Sequence, residues 1–155
     1  MEQDLHGTGI TVKKAAKNKN SRTTQRRSGQ PKPLKAHELT VLVVDDDESA
    51  LGAIARLIRS AGFKVRAFSH PKALLSEQLP TENACLIADI YLPEINGAEL
   101  CHTLAVTGRA LPTILITGRN DELTRLLVEG SEAVAVLYKP IDELHLMDAI
   151  SRYLN

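Results

Sequence analysis

Aromatic side chains are the scarcest class in this chain of 155 residues: two Phe, three Tyr and no Trp. A core must therefore be assembled from Leu, Ile, Val and Ala. There is also little with which to stack nucleic-acid bases. Cysteine is nearly absent. Cys85 and Cys101 lie inside apolar patterns without metal-ligand spacing, which excludes a disulfide scaffold or zinc knuckle and predicts two buried thiols in a reducing compartment. No apolar run approaches the roughly 20 residues that a bilayer span requires. The opening MEQDLHGTG has no apolar signal core, so the expected location is the cytoplasm. Internal repeats are absent, and the five histidines (His6, His37, His70, His102, His145) share no spacing. They are expected at the surface or at helix caps.

A formal net charge of zero conceals two unlike segments. Residues 1–38 carry nine Lys/Arg against three acids, a net +6, and residues 39–155 carry ten against sixteen, a net −6. The stretch KKAAKNKNSRTTQRRSGQPKP has no apolar periodicity and no aromatic residue. It cannot bury enough apolar surface to offset the entropy of ordering, so 1–38 is predicted to be a disordered basic extension. An acidic partner or nucleic acid is the ligand class its charge would attract, although no DNA-reading motif is present.

From Leu39 the pattern alternates. Val41–Val44, Lys64–Phe68, Ala84–Ala88, Thr113–Thr117 and Ala133–Tyr138 read as strands, the β-branched runs as strands buried on both faces. Between them lie helical patterns: Leu51, Ile54, Ala55, Ile58 and Ala61, stopped by Gly62; a helix opened by Pro71; one from about Ala98 to Val106; one over Asp121–Glu129; and a last helix with Leu144, Met147, Ile150 and Leu154 as its apolar stripe, capped by Asp142. Five βα units in sequence predict an α/β domain over 39–155, with a parallel sheet covered by helices on both faces. Ligands then bind at the carboxyl ends of the strands.

Those ends carry the chemistry. The first strand runs into Asp45, Asp46, Asp47 and Glu48, the third ends at Asp89, the fourth at Thr117-Gly118 and the fifth at Tyr138-Lys139-Pro140. Clustered carboxylates repel unless a cation relieves them, and Mg²⁺ prefers one or two carboxylates plus water and phosphate oxygens. A carboxylate is also a competent nucleophile toward a phosphoryl donor, and Lys139 with the Thr117 hydroxyl can face phosphoryl oxygens. Taken singly, Asp47 and Glu48 read as ordinary helix-start acids, and Thr117-Gly118 as a common turn.

Together the motifs resemble the receiver domains of response regulators. VLVVDDDES resembles the acidic first turn. LIADIYLPEINGAEL resembles the phosphoacceptor segment, with Pro93 four and Gly97 eight residues after Asp89. ILITG and YKP resemble the ends of strands four and five. The likeness covers about 39–155 and is strongest to receivers of LuxR/NarL-type transcription factors. It implies a flavodoxin-like, doubly wound five-stranded sheet of order 2-1-3-4-5, with Asp89 as phosphoacceptor. It implies Mg²⁺ held by Asp45, Asp46, Asp89 and the backbone carbonyl of Tyr91. Thr117 and Lys139 would contact the phosphoryl group, across a cis Lys139–Pro140 bond. The implied partner is a sensor histidine kinase or histidine phosphotransfer protein. A homodimer through the face of the fourth helix, fifth strand and fifth helix is a further expectation. Such a protein is an acceptor and not a turnover enzyme.

The chain departs from the family in three places. Val136 stands where an aromatic ring usually turns inward, which predicts weakened coupling to the output face. Tyr91 and Arg119 flank the path of hydrolytic water, and a bulky Tyr91 predicts a long-lived phosphoryl group. No output domain follows the last helix within this sequence, so the expectation is a stand-alone receiver or part of a longer regulator, the basic extension favouring the former. Two other functions compete. One is a receiver-like docking module that is never phosphorylated. The other is a phosphohydrolase of the haloacid dehalogenase type using Asp45 as nucleophile, which leaves the Asp89 loop unexplained.

Overall fold

A computed structural model describes the backbone of Gln3–Asp4 and Ile10–Val12, all of 34–153, and the backbone of Leu154. The five predicted strands are β3 (Thr40–Val44), β4 (Lys64–Phe68), β5 (Ala84–Asp89), β6 (Thr113–Thr117) and β7 (Ala135–Tyr138). They pair in parallel in the order β4-β3-β5-β6-β7, which is 2-1-3-4-5 when these five are counted alone. Five helices alternate with them: α1 (Glu48–Ser60), α2 (Pro71–Leu75), α3 (Gly97–Val106), α4 (Glu122–Glu129) and α5 (Glu143–Leu154).

Strand residues alternate between two cores because successive side chains point to opposite faces. Val41, Val43, Ile87 and Ile114 pack with α1 and α5. Leu42, Val44, Leu86 and Leu115 pack with α2, α3 and α4. The central strands β3, β5 and β6 are thus apolar on both sides, as a doubly covered sheet demands. Burying each such Leu, Ile or Val side chain stabilises the fold by roughly 1.5–3 kcal/mol. Helix starts are fixed by side chains that take up orphan backbone N–H groups: Asp47 for α1, Asn96 for α3, Asp121 for α4 and Asp142 for α5. His70 caps α2 through the Lys72 N–H, while His102 and His145 sit beside Glu132 and Asp142. His6 lies outside the described residues.

One expectation is corrected. Leu144 is not core: it is 78% exposed, and the buried stripe of α5 is Leu146, Ala149 and Ile150. Leu144 and Leu146 are separated by about 200° around a helix, so only one can face the sheet; the register that buries Ile150 and Ala149 selects Leu146. The side chain of Leu154 lies outside the described residues. Short pieces of the extension are among the described residues. β1 (Gln3–Asp4) and β2 (Ile10–Val12) form an antiparallel pair, and β2 adds antiparallel to β7 with Thr11 opposite Val136. Three β-branched residues suit a strand, and the outer edge of β7 offers unpaired backbone groups. Three residues are too few to show period-two alternation in the sequence. Ala36–Glu38 forms a 3₁₀ turn, and Leu34 packs against the α1/α5 core. The remainder of the predicted disorder, 1–2, 5–9 and 13–33, lies outside the described residues.

Candidate functional site

β3 and β5 are neighbours, and the chain leaves β3 to one side for β4 and returns on the other for β5. At this reversal the helices after the strands diverge to opposite faces and leave a crevice at the carboxyl ends. Asp45 and Asp89 flank it. Asp45 is fully buried and Asp89 nearly so, whereas Asp46 is exposed. One carboxylate oxygen from each of the three lies within 4.8 Å of the others. Lys139 reaches across from β7: its Nζ donates to Asp89 Oδ2 at 2.7 Å and to Asp45 Oδ2 at 2.9 Å. The remaining oxygens accept backbone N–H groups two residues on, Asp45 Oδ1 from Asp47 at 3.0 Å and Asp89 Oδ1 from Tyr91 at 2.9 Å.

Burial pushes the Asp45 carboxyl above its ordinary value, and the adjacent Asp89 adds to this against the opposing pull of Lys139. Partial burial acts to lower the Lys139 ammonium, but its hydrogen bonds to Asp89 and Asp45 outweigh that and hold it above 10.5. One ammonium thus serves two buried carboxylates with a third beside them. The set is all oxygen, and the carboxylates outnumber the available cation, which matches what a hard divalent ion requires. Asp45, Asp46 and Asp89 are the residues that could hold it, and the Tyr91 N–H bond keeps that residue's backbone beside Asp89.

Thr117 is buried at the end of β6, which pairs with β7 so that Thr117 lies opposite Tyr138. Its Oγ1 accepts the Arg119 N–H at 3.1 Å. The Lys139 N–H donates to the Thr117 carbonyl at 2.7 Å and the Lys139–Pro140 bond is cis. Every sequence-predicted residue of the site is therefore at one end of the sheet.

Further contacts join the site to α3 and α4. A Cβ on Gly97 would overlap the Asp89 carbonyl oxygen and come within 3.1 Å of the Ile90 Cα, so the first turn of α3 lies against the Asp89 backbone through a bare glycine. The Tyr91 hydroxyl meets Thr124 Oγ1 on α4 at 2.5 Å, and the Arg119 guanidinium lies 4.4 Å from the centre of the Tyr91 ring. Asp121-x-x-Thr124 is legible as a helix start, but Tyr91, 33 residues away, is not.

The fold and site define a class: a flavodoxin-like α/β domain with a carboxylate cluster, a lysine and a buried threonine at the carboxyl ends of its parallel strands. The chain belongs to the response regulator receiver domain family, whose pattern residues 41–151 match. It is 34% identical over 118 residues to response regulator protein TmoT of Ectopseudomonas mendocina, covering 76% of this chain and 54% of that protein. The response regulator StyR superimposes with a TM-score of 0.66 at 35% identity, over 74% of this chain and 58% of that one. The crystal structure of FixJ-N superimposes with a TM-score of 0.67 at 28% identity, over 76% and 96%. This chain spans about half the length of the curated relatives it matches. Among the described residues no helix is long and apolar enough to cross a membrane.

Proposed function

We propose that the protein accepts a phosphoryl group on Asp89 from a sensor histidine kinase or histidine phosphotransfer protein, in an Mg²⁺-dependent reaction in the cytoplasm. The observation that carries this reading is the Lys139 ammonium bound to both Asp89 and Asp45 across the head of the sheet. A carboxylate oxygen of Asp89 forms the new P–O bond while the P–N bond of the donor phosphohistidine, or the P–O bond of a small acyl phosphate, breaks. The donor leaves with the electron pair. Asp89 needs no general base, because a carboxylate carries no proton to remove. Asp45, Asp46, Asp89 and the Tyr91 carbonyl would hold Mg²⁺, which would supply positive charge against the phosphoryl oxygens. Lys139 supplies the fixed ammonium, and Thr117, turned from Arg119, supplies a hydroxyl donor. The modified aspartate is the endpoint and no turnover follows, so the chain is an acceptor and not an enzyme.

Burial argues against Asp45 as a hydrolase nucleophile. Asp45 is inaccessible, with one oxygen on Asp47 N–H and the other on Lys139. Leu123 and Leu126 of α4 and Leu144 of α5 are more than half exposed, which supports self-association on that side. The basic extension supports contact with an acidic partner or nucleic acid. The test is intact mass after incubation with acetyl phosphate and Mg²⁺. One added phosphoryl group, not gained when Mg²⁺ is chelated beforehand and absent in Asp89→Asn, is the expected result; a gain that survives Asp89→Asn places the nucleophile elsewhere, and no gain in the wild type favours a docking module.

A further inference from the structure

We propose that Tyr91 couples Asp89 to helix α4 through its hydrogen bond to Thr124, supplying the ring that Val136 does not. The inference rests on Asp89 being the phosphoacceptor. Val136 is buried in the α2/α3/α4 core and has no ring to turn. Tyr91 packs against that same core. It is tied at both ends: its backbone N–H donates to Asp89 Oδ1 at 2.9 Å, and its hydroxyl meets Thr124 Oγ1 at 2.5 Å. The direction of the second bond is determined. Thr124 has one hydroxyl hydrogen, and it goes to the Asp121 carboxylate at 2.6 Å, so Tyr91 is the donor. A chain of hydrogen bonds thus runs from the ring to the residue that caps α4, whose carboxyl is held below its ordinary value chiefly by that Thr124 bond.

The ring also has a second link to the site. Arg119 lies over its face at 4.4 Å, while the Arg119 backbone N–H donates to Thr117 Oγ1 at 3.1 Å and its carbonyl accepts the same hydroxyl at 3.4 Å. A phosphoryl group on Asp89 alters both links at once. Asp89 loses a carboxylate oxygen as acceptor, and Thr117 turning to a phosphoryl oxygen releases Arg119. The ring between them must shift, and the buried Thr124 on the first turn of α4 is what it pulls on. Thr124 is a positioning residue here, since it touches no reacting atom. Contiguity alone does not establish coupling, so the test reads site and helix separately.

The measurement is ¹H–¹⁵N NMR of the full chain with Mg²⁺, before and after beryllofluoride, which mimics the acyl phosphate. In the wild type, amides of Thr117, Lys139 and Glu122–Glu129 all shift. In Thr124→Val the Thr117 and Lys139 shifts persist, the α4 shifts fall at least twofold, and α4 stays helical before beryllofluoride is added. Thr124→Ser restores them, and Tyr91→Phe, which breaks the bond from the other side, reproduces the loss on α4. Full-sized α4 shifts in Thr124→Val overturn the coupling and leave the Asp89 reading intact. Wild-type spectra with no shift at Thr117 or Lys139 overturn the Asp89 reading and the coupling with it.

Discussion

Lys139 is the only cation within hydrogen-bond reach of Asp45 and Asp89 among the described residues. Its own side chain is 26% exposed while that of Asp45 is fully buried, so removing it strands a buried carboxylate more than it frees a lysine. Lys139→Met is therefore expected to destabilise the metal-free protein by about 1–3 kcal/mol in urea unfolding, and Mg²⁺ is expected to recover part of that loss by binding the folded state. The pH dependence has a defined sign. The folded Lys139 is raised above 10.5, so its contribution is fully present below the unfolded value and lost as pH rises through the folded one. The stability gap between wild type and Lys139→Met should stay level through neutral pH and close in strong alkali. At Cys85 burial alone lifts the thiol to about 12, so little thiolate is expected at neutral pH, and labelling by thiol reagents should be slow in the folded protein.

At the scale of elements, glycines separate the part of the fold that serves the site from the part that does not. Gly97 opens α3 against the Asp89 carbonyl, and its N–H donates to the Ile90 carbonyl at 2.8 Å. Gly97→Ala must push α3 or the loop after Asp89 aside. It is expected to cost about 1–3 kcal/mol and to slow the gain of mass from acetyl phosphate. Gly52 lies in the interior of α1, where an added Cβ would meet nothing within 4 Å; Gly52→Ala should raise stability by roughly 0.5–1 kcal/mol and leave phosphoryl acceptance unchanged. Thermal melts beside the mass assay distinguish the two. The opposite signs follow from what a Cβ meets, although both glycines lie in helices of the structure.

At the scale of the whole molecule, the outer edge of β7 decides how the domain can meet other chains. β7 would close the parallel sheet with a free edge, and β2 pairs along it instead. An apolar edge strand left open is a template for pairing with another chain. Removing residues 1–33 keeps Leu34 and the 3₁₀ turn on the core but uncovers β7. The truncated protein is expected to accept the phosphoryl group as before and to self-associate more strongly in sedimentation velocity. Unchanged association would show that β2 does not protect that edge.

The amino-acid sequence by itself determined the order of strands and helices, the two-faced burial of Val41–Val44 and Ala84–Ala88, the helix caps at Asp47 and Asp142, and the four motifs that end in Asp45, Asp89, Thr117 and Lys139. These are local signals: runs, periods of 2 and 3.6, and residue types fixed by a turn. Only the tertiary structure decided which of Leu144 and Leu146 faces the sheet, because a helix's rotation is set by what it packs against. It alone joined Ile10–Val12 to β7, since so short a segment becomes a strand only where an edge awaits it. It alone brought Tyr91 to Thr124, a contact that depends on the distance between separate elements and leaves no spacing in the chain to be read, and it alone showed that the Gly97 of the motif lies against the Asp89 carbonyl.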